Sequence, residues 1–183
     1  MPFYLLLVAT TIVTAAGYIA VLGRPLLMVN LNFNSADISS VLAVSGAISV
    51  PFPFLIGWLS DRIGRYGLLA LCYLATVLSL ALFAASTSLW QFWVAAIVGT
   101  IAGASSAVGP ALVADLVSRE SLGVALARFG ATNWVGGVIG FAGAGYAIQA
   151  LGITNSVVMA GGLSLFAVIL LFRVRQTRRL ALA

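Results

Sequence analysis

The chain has 183 residues, of which 62% are hydrophobic and only 7% charged, with a mean hydropathy of +1.16. Soluble domains are about 45–50% apolar and about 25% charged, and one of this size still leaves roughly a third of its surface in water, so the composition excludes a soluble enzyme and a disordered chain alike. The net charge of +5 comes from nine Arg against four acids, with no Lys and no His; it reads as membrane topology rather than nucleic-acid binding, because cytoplasmic flanks of membrane helices collect Arg.

A helix crosses the hydrocarbon core in about 20 residues. Apolar runs of that scale fall at 3–22, 38–59, 68–85, 91–114, 123–149 and 153–172. They predict an all-α membrane protein of six transmembrane helices, one domain over 1–183 with a basic tail at 173–183. Strands of about 10 residues alternating in polarity, which a barrel needs, are not seen. No basic residue precedes the first run, so it is read as a helix of the mature protein and not as a signal peptide.

In the first run, Thr11, Thr14 and Tyr18 share a face, and Arg24 follows just before Pro25. Intramembrane polar residues are default site candidates. Arg24 either attracts an anionic substrate or snorkels to the outer headgroups. Pro51 and Pro53 are expected to kink the second helix and free carbonyls there. The third run holds Cys72, the sole cysteine, which reads as a buried structural thiol; one cysteine allows no disulfide and no Cys-based metal cluster within a chain. The fourth carries the small-residue stripe Gly99, Gly103, Ser106, Pro110, with Trp93 near its outer end as an aromatic-belt residue. The fifth carries Thr132, Gly136, Gly140, Gly143, with Arg128 about one turn inside and Asn133 and Trp134 near the middle. Small residues four apart let helices approach closely in lipid. They serve packing alone, or they let a cavity open and close. Asn133 either hydrogen-bonds a substrate or bridges two helices.

Arg62 and Arg65 follow the second run, Arg119 the fourth, and Arg173, Arg175, Arg178 and Arg179 the sixth. With Arg128, eight of the nine Arg gather at one face and only Arg24 lies at the other. By the positive-inside rule that face and both termini are cytoplasmic, in a multi-pass protein of the cell (inner) membrane. Asp37, Asp61, Asp115 and Glu120 all sit at helix ends, leaving no carboxylate at mid-membrane. Without His or Lys, the chain offers no obvious titrating group within the membrane. Hydrolysis within the bilayer would need a Ser–His, paired-Asp or metal constellation, so no catalytic residue, metal or cofactor is expected.

The most informative stretch is Gly57-Trp58-Leu59-Ser60-Asp61-Arg62-Ile63-Gly64-Arg65-Tyr66-Gly67, between the second and third helices. Gly57 permits close approach, Gly64 a turn with φ > 0, and Asp61, Arg62 and Arg65 can pair with helix ends across the membrane surface. A tight charged turn of this kind can latch helix ends together.

This run resembles the signature loop of the major facilitator superfamily of secondary transporters, Gly-x-Leu-(Ala/Ser)-Asp-Arg-x-Gly-Arg-(Arg/Lys); Gly57, Leu59, Ser60, Asp61, Arg62, Gly64 and Arg65 match, and Tyr66 replaces the final basic residue. The stretch 109–120, Gly-Pro-Ala-Leu-Val-Ala-Asp-Leu-Val-Ser-Arg-Glu, is similar to the family's loop between helices 4 and 5. The resemblance implies a cytoplasmic charge network in which Asp115, Arg119 and Glu120, with Arg128 on the same side, meet the Asp61 loop; a solvated turn of exposed charges is the alternative. The fourth helix lacks the membrane-embedded Arg of many N-terminal halves, and Gly140 is followed by Phe141 where the family's antiporters have Gly-Pro. Both departures make the chain resemble a C-terminal half, and antiporter-type coupling does not carry over. Family members are generally built of two six-helix halves, each a 3+3 inverted repeat. The resemblance thus implies a half-transporter that moves a small solute by alternating access, embedded in lipid, as a homodimer or paired with a second six-helix half. The alternative is a non-transporting membrane scaffold or assembly subunit.

Overall fold

The structure, a computed structural model, describes the backbone of residues 2–182 and the side chains of residues 3–52, 55–56, 58–60 and 62–173. Among the described residues all regular structure is helical: α1 (Pro2–Asn30), α2 (Ser35–Ser49), α3 (Phe52–Ile63), α4 (Arg65–Ala85), α5 (Leu89–Gly103), α6 (Ser105–Leu116), α7 (Leu122–Leu151) and α8 (Ile153–Leu182), with one 3-10 turn at Arg119–Ser121. Five stretches are long and apolar enough to cross a membrane: Phe3–Asn30, Arg65–Ala85, Leu89–Leu116, Arg119–Leu151 and Ile153–Arg173. Several such stretches in one chain are the pattern of a multi-pass membrane protein.

Several predicted boundaries are corrected. The first helix does not stop at residue 22 but continues through Arg24 and Pro25 to Asn30. A proline removes one backbone donor, which an otherwise intact helix can absorb near its end. The stretch 38–59 is two helices, because the chain turns at Val50-Pro51 and Pro51 opens α3. The stretch 91–114 also divides, at Ala104. The third helix starts at Arg65 directly after Gly64, whose φ of 82° only glycine adopts without strain. Beyond 172 the helix α8 continues to Leu182, and the side chains of Arg175, Arg178 and Arg179 lie outside the described residues. Two short connections are closed by caps: Asn34 and Asp37 cap α2 reciprocally, and Gln91 accepts from the backbone N–H groups of Thr87 and Ser88 ahead of α5.

Lipid tails are as apolar as the side chains, so helices associate through close packing rather than hydrophobic drive. α1 packs between α7 and α8, α4 between α8 and α5, and α2 lies on α5. Thr10 of α1 meets Tyr73 of α4 at 2.8 Å, and further along Arg24 meets Phe83, so α1 and α4 run in the same direction. The buried side chains form two clusters. One, around Leu6, Leu68, Tyr73, Leu112 and Phe129, fills the end carrying the Gly64 turn. The other, around Met28, Phe83, Phe92 and Val157, fills the opposite end. Between them the bundle opens into a cavity.

Candidate functional site: a polar cavity and a charged helix-end contact

The cavity, of about 370 Å³, is lined by Val13, Thr14, Gly17, Tyr18, Val21 and Arg24 of α1, Thr76 and Ser79 of α4, Gly99 and Ala102 of α5, and Ser105 of α6. Glycine at 99 brings α5 close to α4, since a Cβ there would stand 2.9 Å from Ser79 Oγ. Ser79 donates to the Ala95 carbonyl at 2.8 Å and ties the same two helices together. Thr76 donates to the Cys72 carbonyl within α4, and Thr14 donates to Asn133 Oδ1 at 3.4 Å. These three hydroxyls therefore present oxygen acceptors to the cavity, their hydrogens being engaged elsewhere.

Arg24 does not reach outward. Its guanidinium carbon lies 4.2 Å from the centre of the Phe83 ring, and one terminal nitrogen is 3.8 Å from where a Gly99 Cβ would be. Gly99 is ten residues into α5, about 15 Å along it from its start at 1.5 Å per residue, so the charge sits well inside the bundle rather than at the helix end. A second cavity of about 190 Å³, between α1, α2 and α5, borders Arg24 on its other side.

Of the other predicted cavity residues, Thr14 and Tyr18 line the space and Thr11, Asn133 and Trp134 do not. Thr11 donates to the Leu7 carbonyl of its own helix. Asn133 bridges α7 to α1 through Thr14, and Trp134, 81% exposed, faces away from α1. The sequence reading missed Thr76, Ser79, Gly99 and Ser105 as lining residues; the one signal available was a Thr and a Ser three apart within an otherwise apolar third run. Trp93, read as a belt residue, donates from Nε1 to Ser40 Oγ at 3.1 Å and joins α5 to α2.

At the end bearing the Gly64 turn, Arg65 reaches across to the last turns of α6. It contacts Asp115 Oδ1 at 2.7 Å and the Ala111 carbonyl at 2.5 Å. Both side chains remain more than a third exposed, so the pair contributes about 0–1 kcal/mol to stability and its interest is positional. Arg62 stacks on the Trp58 ring at 4.1 Å. Arg119, Glu120 and Arg128 form no ion pair among the described residues. Gly57 and Asp61 belong to α3, with side-chain positions outside the described residues. Nor do three metal-ligating side chains gather anywhere among them.

A sequence model of the Major Facilitator Superfamily matches residues 5–182. The chain belongs to that superfamily. Among curated relatives, it is 37% identical over 108 residues to the class E tetracycline resistance protein of Escherichia coli, covering 56% of this chain and 27% of that protein. It is 31% identical over 100 residues to the class H protein of Pasteurella multocida, covering 55% and 25%, and 33% identical over 108 residues to the class B protein of Escherichia coli, covering 56% and 27%. The matched stretch thus spans about a quarter of each relative. For a major facilitator chain, the Arg65–Asp115 contact joins the signature loop after the second predicted span to the loop after the fourth, and the size fits one half of the two-half architecture.

Proposed function

We propose that this chain is one half of a secondary transporter that moves a small solute across the cell inner membrane by alternating access. In this reading α2 with α3, and α5 with α6, each make one bent crossing, giving six spans in two inverted three-helix repeats with both termini cytoplasmic. Two halves related by an axis along the membrane normal enclose the substrate between them, either as a homodimer or with a separate six-span partner. From the tetracycline resistance proteins we carry over a small organic molecule as the class of solute.

The observation that carries this reading is the cavity. There α1, α4, α5 and α6 part to leave a space lined by five hydroxyl-bearing side chains and one Arg. Irregular or polar elements at membrane depth are tolerated where they line such a space. The Arg65–Asp115 pair, with Asp61 and Arg62 beside it in sequence, acts as the cytoplasmic latch that holds that side closed in one state. No step of this cycle makes or breaks a covalent bond, so the chain is not an enzyme.

Pairing is tested by native mass spectrometry of the full chain in lipid nanodiscs. The homodimer arm predicts twice the chain mass; a single chain mass at all concentrations contradicts it and leaves the separate partner. Alternating access is tested by whether a thiol placed in the cavity is reached from both sides of the membrane.

A further inference from the structure

We infer that the cavity takes a solute carrying a single carboxylate, held by Arg24, an assignment that rests on reading the cavity as the transport site. Arg24 is the one charged residue in the lining. The described acids are engaged or remote: Asp37 is held by the Asn34 backbone at the start of α2, Asp115 pairs with Arg65, and Glu120 lies in the turn after α6. Asp61 belongs to the last turn of α3, at the Gly64 end. The guanidinium rests on the face of Phe83, while its Nε is buried with no hydrogen-bond partner. A ring face attracts the charge but satisfies none of the five fork donors, and a buried donor left unmade is costly.

The missing acceptor is supplied by the ligand. Two carboxylate oxygens match two parallel guanidinium N–H groups, a geometry that a neutral amide or hydroxyl does not reproduce. One positive charge in a low-dielectric cavity neutralises one negative charge, so a doubly charged phosphate monoester would carry its excess unpaired. The hydroxyls of Thr14, Thr76 and Ser79 have already donated, which leaves Arg24 as the charged donor to an anion, with the hydroxyls of Tyr18 and Ser105 in the same lining as neutral ones. Val13, Gly17, Val21 and Ala102 provide an apolar wall for the rest of the solute.

The test uses the full chain in phosphatidylcholine nanodiscs with three probes of one shape: benzoate, benzamide and benzylammonium. Calorimetric titration is expected to show benzoate bound about tenfold or more tighter than the other two, as a charge-assisted pair requires. Arg24→Gln removes that preference, and Arg24→Lys keeps part of it, since the charge remains and the fork is lost. Gly17→Leu, whose Cβ meets nothing within 4 Å, fills the cavity and lowers benzoate affinity with Arg24 intact, so a misfolded Arg24 variant does not decide the matter. Equal affinities, a preference for the cation, no benzoate binding, or a preference that survives Arg24→Gln would each overturn the assignment. Adding phosphatidylglycerol separates a soluble anion from a lipid phosphate entering through the second cavity: unchanged benzoate affinity is expected, and displacement by the lipid would overturn it. Binding needs no translocation. Selective benzoate binding without uptake into proteoliposomes would sink the transport reading alone, and uptake of benzamide without any anion preference would sink the carboxylate assignment alone.

Discussion

Phe92→Ala lowers the stability of the bundle by about 2 kcal/mol, the cavity term of about 24 cal/mol per Å³ applied to the void of roughly 100 Å³ that a fully buried ring leaves. Phe92 is 0% exposed and sits in α5 with its ring centre 5.8 Å from that of Phe83 and 5.6 Å from that of Phe33. It therefore joins α5 to α4 and to the connection after α1. Hydrophobic transfer is not the reason for the loss, since an unfolded helix in lipid keeps its apolar surroundings; the lost dispersion contacts and the void are. Phe166→Ala is the control, because that ring is half exposed at the bundle surface and leaves no void. Thermal unfolding in detergent checks both. A Phe92→Ala loss no greater than that of Phe166→Ala would contradict the packing described for this end.

The second large effect lies at the α1–α7 contact. Gly140→Ala is expected to cost about 1–3 kcal/mol by overpacking, although alanine in a helix is intrinsically better than glycine. A Cβ at 140 would stand 2.5 Å from the Ala15 carbonyl oxygen and 2.7 Å from Tyr18 Cβ, and one at 136 would stand 2.9 Å from the Thr11 carbonyl oxygen. Carbonyl oxygens cannot rotate away as side-chain tips can, so α1 and α7 must separate. That separation also moves Thr14 and Tyr18, which line the cavity. Gly143→Ala meets nothing within 4 Å and should be neutral or stabilise by about 0.5–1 kcal/mol. The same unfolding measurement, run on Gly140→Ala and Gly143→Ala side by side, reads the contrast; two equal shifts would contradict the close approach.

These two cases show what the sequence makes legible. The stripe Gly136, Gly140, Gly143 announces an α7 that packs closely, but which of its glycines meet α1 depends on the crossing of the two helices. The apolar runs locate the long helices because a membrane span needs length more than pattern. The same reliance on length hid the breaks at Pro51 and Ala104 and the continuation of α1 to Asn30. Arg24 beside Pro25 looks like a helix boundary with a charge for the headgroups. Its inward turn depends on Phe83, some 60 residues away in sequence, and no local pattern carries that contact. Thr14 and Tyr18 were legible from spacing on one helix. Thr76 and Ser79 were not, because a hydroxyl that bonds a carbonyl is equally at home in an ordinary packed helix. The Gly64 turn was legible from residue type alone, as was the match of its loop to the family pattern. The partner that Arg65 selects, Asp115, was implied by that resemblance, while Arg119 and Glu120 form no ion pair among the described residues.

If one cavity opens in turn to the two sides of the membrane, a thiol in its wall is reached from both. Gly17→Cys in a Cys72→Ser background places a lone thiol in the cavity wall, where a Cβ meets nothing within 4 Å. With the chain reconstituted in one orientation, a membrane-impermeant thiol reagent is applied from either face. Alternating access predicts modification from both faces. Asp115→Asn, which cuts the pair with Arg65, should raise the rate from the cytoplasmic face. A thiol reached from one face only, or from neither, with rates indifferent to Asp115→Asn, would contradict the account.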